Sequence, residues 1–342
     1  MSSKTKILLI YTGGTIGMIK DYETGYLKAF DFTRLLANVP ELSQLDCDIE
    51  TIAFSTPIDS SNMNLDYWRT LVEMIEKNYE AFDGFVVLHG SDTMSYTSSA
   101  ISFMLENLSK PIVFTGSQLP IGDLRTDAKE NLITSVQIAS LQKDGVPVIN
   151  EVCLYFEYKL YRANRTTKIN AEHFEAFTSP NYPALAESGV HLRINYEYLL
   201  PVPRVKKLKV NKELDNRVVI VKLFPGIGEK VLLSILDSPN LKAVILESYG
   251  SGNAPTEEWF LNAIEKAIKK GIFIVVVTQC SGGAVNLGQY ETSTALKNLG
   301  VISGKDITTE AAITKIMYLL GSGVGRKVFK TVFETAIRGE ML

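Results

Sequence analysis

Three clusters of hydroxyl, carboxylate and carboxamide side chains stand directly after short apolar runs in this 342-residue chain. The first is Tyr11-Thr12-Gly13-Gly14-Thr15-Ile16-Gly17, where two glycines allow a sharp turn that presents the Thr15 hydroxyl without side-chain cover. The second is His89-Gly90-Ser91-Asp92-Thr93, running into a helical pattern. Ser, Asp and Thr are favoured N-caps, and one of them serves a helix start. A cap uses one side-chain oxygen, so the others can face a crevice where the helix N-terminus favours an anionic ligand group. The third is Gly116-Ser117-Gln118, followed by a polar stretch over 122–127 that reads as a loop with a capped helix beginning near Asp127. Further on, Arg162-Ala163-Asn164-Arg165-Thr166-Thr167-Lys168 is dense in polar groups. A lysine there is ordinarily a solvated charge. Buried beside Ser91 and Asp92, Lys168 would be oriented by the carboxylate for proton relay.

Familiar alternatives do not match. A dinucleotide fingerprint needs Gly where Thr12 stands, and the Gly-Lys of a P-loop is missing. The chain has neither a G-x-S-x-G elbow nor an H-E-x-x-H helix, which argues against an α/β-hydrolase and a zinc hydrolase. His89, His173 and His191 read as structural residues, so a Ser-His-Asp triad has few candidates. A Thr/Ser–Lys–Asp arrangement remains.

Ligands of open parallel sheets bind beyond the carboxyl ends of the strands, so the elements that carry these clusters matter. Short Val- and Ile-rich runs alternate with segments of helical period, the pattern of an α/β fold with parallel sheets. In the first part, strands are predicted over 7–11, 85–88, 112–115 and 151–156, and helices over 67–78, 96–107 and 128–141, with a polar excursion after the first glycine-rich turn. Pro201, Pro203 and the cations Arg204, Lys206, Lys207 and Lys209 then suit an exposed linker. Beyond it, strands over 217–224, 243–247 and 272–278 alternate with helices over 230–236 and 257–270, and helices over 309–320 and 326–338 close the chain. The expectation is two doubly wound α/β domains: a larger N-terminal one with a parallel-type sheet over 1–197, a linker over 198–216, and a smaller flavodoxin-like one over 217–342.

Composition agrees with a globular protein of about two domains: 46% hydrophobic, 21% charged, 12 Pro and 24 Gly. With 35 Lys and Arg against 38 Asp and Glu, the net charge of -3 carries no basic footprint for nucleic acid. Small molecules are the better partners. Cys47, Cys153 and Cys280 are far apart and form no C-x-x-C, so neither disulfides nor a Cys-rich zinc site is indicated and a reducing compartment fits. The apolar run over 7–11 reads as a strand, not a signal peptide, and none approaches the roughly 18 residues of a membrane helix. A cytoplasmic protein is expected.

Taken in order, Thr12-Gly-Gly-Thr15-Ile-Gly17, His89-Gly-Ser91-Asp92-Thr93, Gly116-Ser117-Gln118 and Asn164-Arg-Thr-Thr-Lys168 resemble the bacterial-type L-asparaginase family, and more narrowly its cytoplasmic type I branch. The resemblance runs from the first strand to the last helix. It implies a two-domain α/β enzyme that hydrolyses L-asparagine to L-aspartate and ammonia without metal or organic cofactor, as a homodimer or homotetramer. Carried over by motif, Thr15 is the nucleophile, Tyr26 beside Gly25 is the tyrosine of a closing flap, and Ser91, Asp92 and Lys168 form the second catalytic group. Asp59, Ser60 and Ser61 match the loop that clamps the substrate α-carboxylate, while Asp92 also meets the α-ammonium. Those three residues equally suit a plain Asx/Ser turn.

Two departures from the family pattern stand out. The family usually has threonine where Ser91 stands; the exchange keeps the hydroxyl and loosens its rotamer control. Some type I members have an asparagine-activated allosteric site that matches Thr167, Asn253 and Cys280, with an arginine where this chain has Glu247. A carboxylate there would repel the effector's own carboxylate, so weakened or absent activation is expected. The competing readings are a nucleotide- or amino-acid-binding protein on the same sheet, a glutaminase, and an aminoacyl-tRNA amidase. The last would want a basic surface.

Overall fold

The computed structural model describes residues 4–20, 27–29, 39–204, 207–289 and 291–342. The chain forms two compact units, Met1–Lys212 and Glu213–Leu342.

In the first unit, the apolar run predicted as a strand is the middle of β1 (Thr5–Gly13), which pairs in parallel with β2 (Cys47–Ile58) on one side and β3 (Gly84–Leu88) on the other. Parallel neighbours need crossover connections, and helices provide them. Helix α1 (Leu65–Asn78) joins β2 to β3, α2 (Met94–Met104) leads from β3 towards β4 (Ile112–Thr115), and α3 (Ala128–Ala139) lies between β4 and β5 (Val152–Phe156). After β5 the sheet turns antiparallel through β6 (Lys159–Arg162), β7 (Ala186–Glu187) and β8 (Arg193–Ile194). Among the described residues it is an eight-stranded mixed sheet of order β8-β7-β6-β5-β4-β3-β1-β2. Ile7, Leu9, Val86, Leu88 and Val113 pack with Leu132 and Val136 of α3. The alternate residues Leu8, Ile10, Phe85 and Val87 are equally buried, so both faces of the sheet are covered, which is why these strands read as unbroken apolar runs.

The second unit has a four-stranded parallel sheet, β9 (Val218–Lys222), β10 (Ala243–Ser248), β11 (Phe273–Thr278) and β12 (Ile302–Ser303), in that spatial order. Val244, Leu246, Ile274 and Val276 pack with Leu232 of α4 (Glu229–Leu236) and Phe260 and Ile264 of α5 (Glu258–Lys269). Ala243, Ile245, Val275 and Val277 face Ile316 and Leu319 of α7 (Thr309–Gly321) and Phe329 and Phe333 of α8 (Arg326–Phe333). Helix α6 (Glu291–Leu299), not foreseen from sequence, precedes β12. Helices cover both faces of this sheet, as expected of the α/β class, but its strands lie in sequence order, without the reversal of winding that a flavodoxin-like sheet would show.

Three other departures have physical causes. The twelve-residue β2 was hidden in the polar excursion because it is an edge strand with mostly solvated side chains. Helix α2 stops at Met104, short of the predicted 107, because Leu105–Glu106 forms a ladder with Lys209–Val210 and Asn107 adopts a φ of 64°. Helix α8 stops at Phe333, short of 338, because Glu340 is drawn inward: its carboxylate accepts from the backbone N–H of Ile337 and Arg338 and meets the buried ammonium of Lys315.

Part of the segment expected to be a free linker is tied into the first unit. Leu200 N donates to Glu151 Oε1 (2.7 Å), and Tyr198 O accepts from Arg162 Nη2 (2.7 Å) and Tyr182 Oη (3.0 Å). The Lys209–Val210 ladder and the ion pairs of Lys212 with Glu73 and Glu76 carry the unit beyond residue 197 to Lys212. The Glu151–Arg162 pair, with Nε 2.5 Å from Oε2, is almost fully buried at the end of β6. Removing one partner of such a pair leaves a buried charge uncompensated, at a cost of about 3–5 kcal/mol. Glu151→Ala is therefore expected to lower the free energy of unfolding measured by urea titration by an amount in that range and to move the midpoint down accordingly, while an unchanged midpoint would show that Arg162 finds water.

Candidate active site

Because β2, β1 and β3 are parallel neighbours, their carboxyl ends lie side by side, and the backbone there leaves no room for side chains. Gly13 sits at φ 133° opposite Ile58, and a Cβ on it would stand 2.0 Å from Ile58 O. Gly14, at φ 90°, approaches Gly90 so closely that a Cβ would lie 2.5 Å from the Gly90 Cα. Gly90 in turn abuts Ser60: its own missing Cβ would be 2.6 Å from Ser60 Oγ. Two hydroxyls stitch the loops together, Thr12 Oγ1 donating to Leu88 O (3.0 Å) and Thr93 Oγ1 to Ser60 O (2.8 Å). Thr15, partly exposed, opens the 3-10 turn Thr15–Gly17 that follows, over a buried Ile16. The three segments that carry Thr15, Asp59-Ser60-Ser61 and Ser91-Asp92 therefore meet at one edge of the sheet.

Lys168 reaches the same edge from elsewhere in the unit. Its Nζ donates to Ser91 Oγ (2.8 Å) and to Asp92 Oδ1 (2.7 Å). The Lys168 side chain is 16% exposed and that of Asp92 65%, so the ammonium is shielded while part of the carboxylate faces solvent. The placement of Lys168 follows from buried polar contacts. The preceding turn Ala163–Arg165 is buried, Asn164 Nδ2 donates to Ser102 Oγ (3.1 Å) and Thr166 Oγ1 to Ser95 Oγ (3.0 Å). Ser95 and Ser102 belong to α2, the helix that begins directly after Ser91-Asp92-Thr93. One helix thus sets the positions of both the lysine and its partners. The short Thr167–Lys168 strand, paired antiparallel with Phe177–Thr178, holds the end of the segment.

Asp59 turns on itself: its Oδ1 accepts from Ser61 N and Ser61 Oγ, both at 2.8 Å, and these bonds, the backbone one foremost, lower its pKa. The capped helix expected near Asp127 is α3, which begins at Ala128, and the Asp127 side chain is not its cap. Thr126 Oγ1 accepts from Ala128 N instead (3.0 Å), and the Asp127 carboxylate turns back to accept from Gln118 N and Leu119 N. The contribution of Gln118 was missed as well: Ser91 Oγ lies 3.4 Å from its Oε1. The only sequence signal was its place after the third strand.

His89, read from the sequence as a structural and satisfied polar residue, is satisfied at one ring nitrogen only: its buried Nε2 has no hydrogen-bond partner among the described residues. It is buried against Phe114, and its Nδ1 lies 2.7 Å from Gly90 O, which can only accept, so Nδ1 is the donor. Burial pushes its pKa down to about 4. Tyr26, the expected flap residue, lies outside the described residues. Thr167 belongs to the first unit, and Glu247, Asn253 and Cys280 to the second. Glu247 Oε1 accepts from Thr309 Oγ1 (2.8 Å) at the start of α7; Asn253 bridges to Tyr249 through the backbone, and exposed Cys280 donates its N–H to Thr278 Oγ1 (3.0 Å). Among the described residues, no group of three His, Cys, Asp or Glu side chains is arranged to hold a metal ion, and no helix is long and apolar enough to cross a membrane.

Hydroxyls, carboxylates and an ammonium gathered beyond the carboxyl ends of parallel strands define an α/β protein with a site for a small polar ligand. Comparison with known proteins specifies the kind. Family models described as "Asparaginase, N-terminal" and "Glutaminase/Asparaginase C-terminal domain" match residues 6–200 and 217–333. The chain is 43% identical to L-asparaginase 1 of Escherichia coli (strain K12), with 99% of this chain and 98% of that protein covered. It is 37% identical to the 60 kDa lysophospholipase of Mus musculus, covering 63% of that longer protein. The crystal structure of L-asparaginase I from Vibrio cholerae superposes with a TM-score of 0.90 at 38% identity, over 99% of this chain and 100% of the other. The chain belongs to the asparaginase family and is a hydrolase of that class.

The depressed pKa of His89 has a consequence for stability. Between its unfolded value of about 6.5 and its folded value of about 4, the unfolded chain binds the proton that the folded one refuses. Its contribution is thus intact above about pH 6.5 and is lost as the pH falls towards 4, by about 3 kcal/mol in all. A His89→Gln variant should show a shallower decline in urea midpoint over that interval than the wild-type protein; parallel declines would contradict a neutral buried imidazole.

Proposed function

We propose that the protein is an L-asparagine amidohydrolase that releases L-aspartate and ammonia through a covalent intermediate on Thr15. The observation that carries this reading is the Lys168 ammonium, 2.8 Å from Ser91 Oγ and 2.7 Å from Asp92 Oδ1, on the strand end next to the one that carries Thr15. Such a cluster supplies what amide hydrolysis needs: a hydroxyl nucleophile, a second hydroxyl joined to a proton carrier, and charges to orient a zwitterion.

In the proposed sequence, Thr15 Oγ1 attacks the side-chain amide carbon, and backbone N–H groups of the converging turns stabilise the oxyanion. The hydroxyl proton passes to the leaving nitrogen, the C–N bond breaks, and ammonia departs, leaving a β-aspartyl ester on Thr15. Water then attacks the ester carbon while hydrogen-bonded to the Ser91 oxygen, which Lys168 holds in place, and its proton passes to Thr15 Oγ1 as the C–O bond to Thr15 breaks and aspartate is released. By family likeness Tyr26 hydrogen-bonds Thr15 and closes over the substrate; the acceptor of the Thr15 proton is left unassigned. Asp92 meets the α-ammonium. Ser60 and Ser61 meet the α-carboxylate, and Asp59, engaged with Ser61, holds that turn in shape.

The likeness also carries the expectation of a homodimer or homotetramer in the cytoplasm, and the free thiols of Cys47, Cys153 and Cys280 suit a reducing compartment. By the same likeness Glu247, whose carboxylate accepts from Thr309 Oγ1, takes the place of the arginine that some type I members use to pair with an effector's carboxylate, and weakened or absent activation by asparagine is expected.

Ammonia release from asparagine and from glutamine tests the proposal. Thr15→Ala is expected to reduce turnover by about 1,000-fold or more with the fold retained, and a variant with normal turnover would sink the assignment of the nucleophile. The dependence of rate on asparagine concentration is expected to be hyperbolic; clear sigmoidicity would contradict the loss of activation inferred from Glu247.

A further inference from the structure

Gln118 stands between two groups that leave its carboxamide a single orientation. The carbonyl of His173, 3.0 Å from Nε2, can only accept a hydrogen bond, so the amide nitrogen must face it. The carboxamide oxygen therefore faces Ser91, 3.4 Å from its Oγ, and there Ser91 must be the donor. Lys168 donates to the same Oγ from the other side. The chain of bonds has one direction: Lys168 to Ser91, Ser91 to Gln118, and Gln118 to the His173 carbonyl.

The backbone of Gln118 is held as firmly as its side chain. Asp127, 6% exposed, accepts from Gln118 N at 2.9 and 3.1 Å through its two oxygens and from Leu119 N at 3.1 Å. Asn131, fully buried one turn into α3, donates to Asp127 Oδ2 (3.3 Å) and Gly116 O (3.0 Å). The His173 carbonyl is fixed in turn, because Asn170 Oδ1 accepts from Glu172 N (2.8 Å) and His173 N (2.9 Å).

We propose that Gln118, clamped by Asp127, is a positioning residue for the hydrolytic step: its Oε1 accepts the Ser91 O–H and so keeps the Ser91 lone pairs turned towards Lys168 and the attacking water. The proposal rests on the amidohydrolase reading and names a residue through which that reaction is tuned. Gln118 acts through Ser91, so its loss should lower kcat and leave substrate affinity largely alone.

Gln118→Met keeps the side-chain length and removes both donor and strong acceptor. It is expected to lower kcat for asparagine about fivefold, the ratio that corresponds to one neutral hydrogen bond of about 1 kcal/mol, with KM within about twofold of wild type. Gln118→Ala, at a partly exposed position that tolerates truncation, should do the same and serves if the methionine variant misfolds. In a Ser91→Ala background the Gln118→Met exchange should cost less than about twofold, because its partner is already gone. Unchanged kcat, a loss confined to KM, or a full fivefold loss without Ser91 would each overturn the proposal. A wild-type protein that releases no ammonia from asparagine would sink the functional reading instead.

Discussion

The contact on which the site depends is the approach of two backbones, at Gly14 and Gly90, with no Cβ between them. Adjacent parallel strands stand about 4.8 Å apart, and their loops ordinarily diverge to make room for side chains. Here the loops after β1 and β3 stay in contact, and Ser60, at the end of β2, closes the third side. A Cβ on Gly14 would overlap the Gly90 backbone and one on Gly90 the Ser60 side chain, so either would push the converging loops apart. The positive φ of Gly14 adds a second reason, since an L side chain is strained there whatever the space.

Around that contact the polar groups are arranged so that each has a defined protonation or direction. Lys168 has a carboxylate and a hydroxyl as partners, Asp59 is engaged by the backbone and hydroxyl of Ser61, and His89 is kept neutral by burial. Helix α2 does more than cross the sheet. Its start presents Ser91 and Asp92, and its buried Ser95 and Ser102 hold the turn that delivers Lys168. A helix interior this rich in small hydroxyls gives up apolar burial, and in exchange fixes two distant parts of the chain to one rigid element.

Much of this was legible in the sequence. The strands 85–88 and 112–115 and the helix 67–78 match the observed elements to within a residue or two, because fully buried parallel strands produce continuous apolar runs and amphipathic helices a 3.6-residue period. The edge strand β2 has neither signal, since its partner supplies hydrogen bonds and only one edge is covered. Which residue caps α3 was not legible for a related reason. Thr126 and Asp127 both suit a cap by type, and the Asp127 acceptors are claimed by the N–H groups of Gln118 and Leu119, which the loop folds back upon it.

Residue types and their order along the chain were sufficient to determine the α/β class, the strand-end location of the polar clusters and the family, because each depends on local pattern alone. Tertiary structure decided that Lys168 is a partner of Ser91 and Asp92 and not a solvated surface charge, and that Gln118 faces Ser91. Those pairings join positions 77 and 27 residues apart, and no local pattern encodes a meeting that exists only once α2 and the sheet have packed.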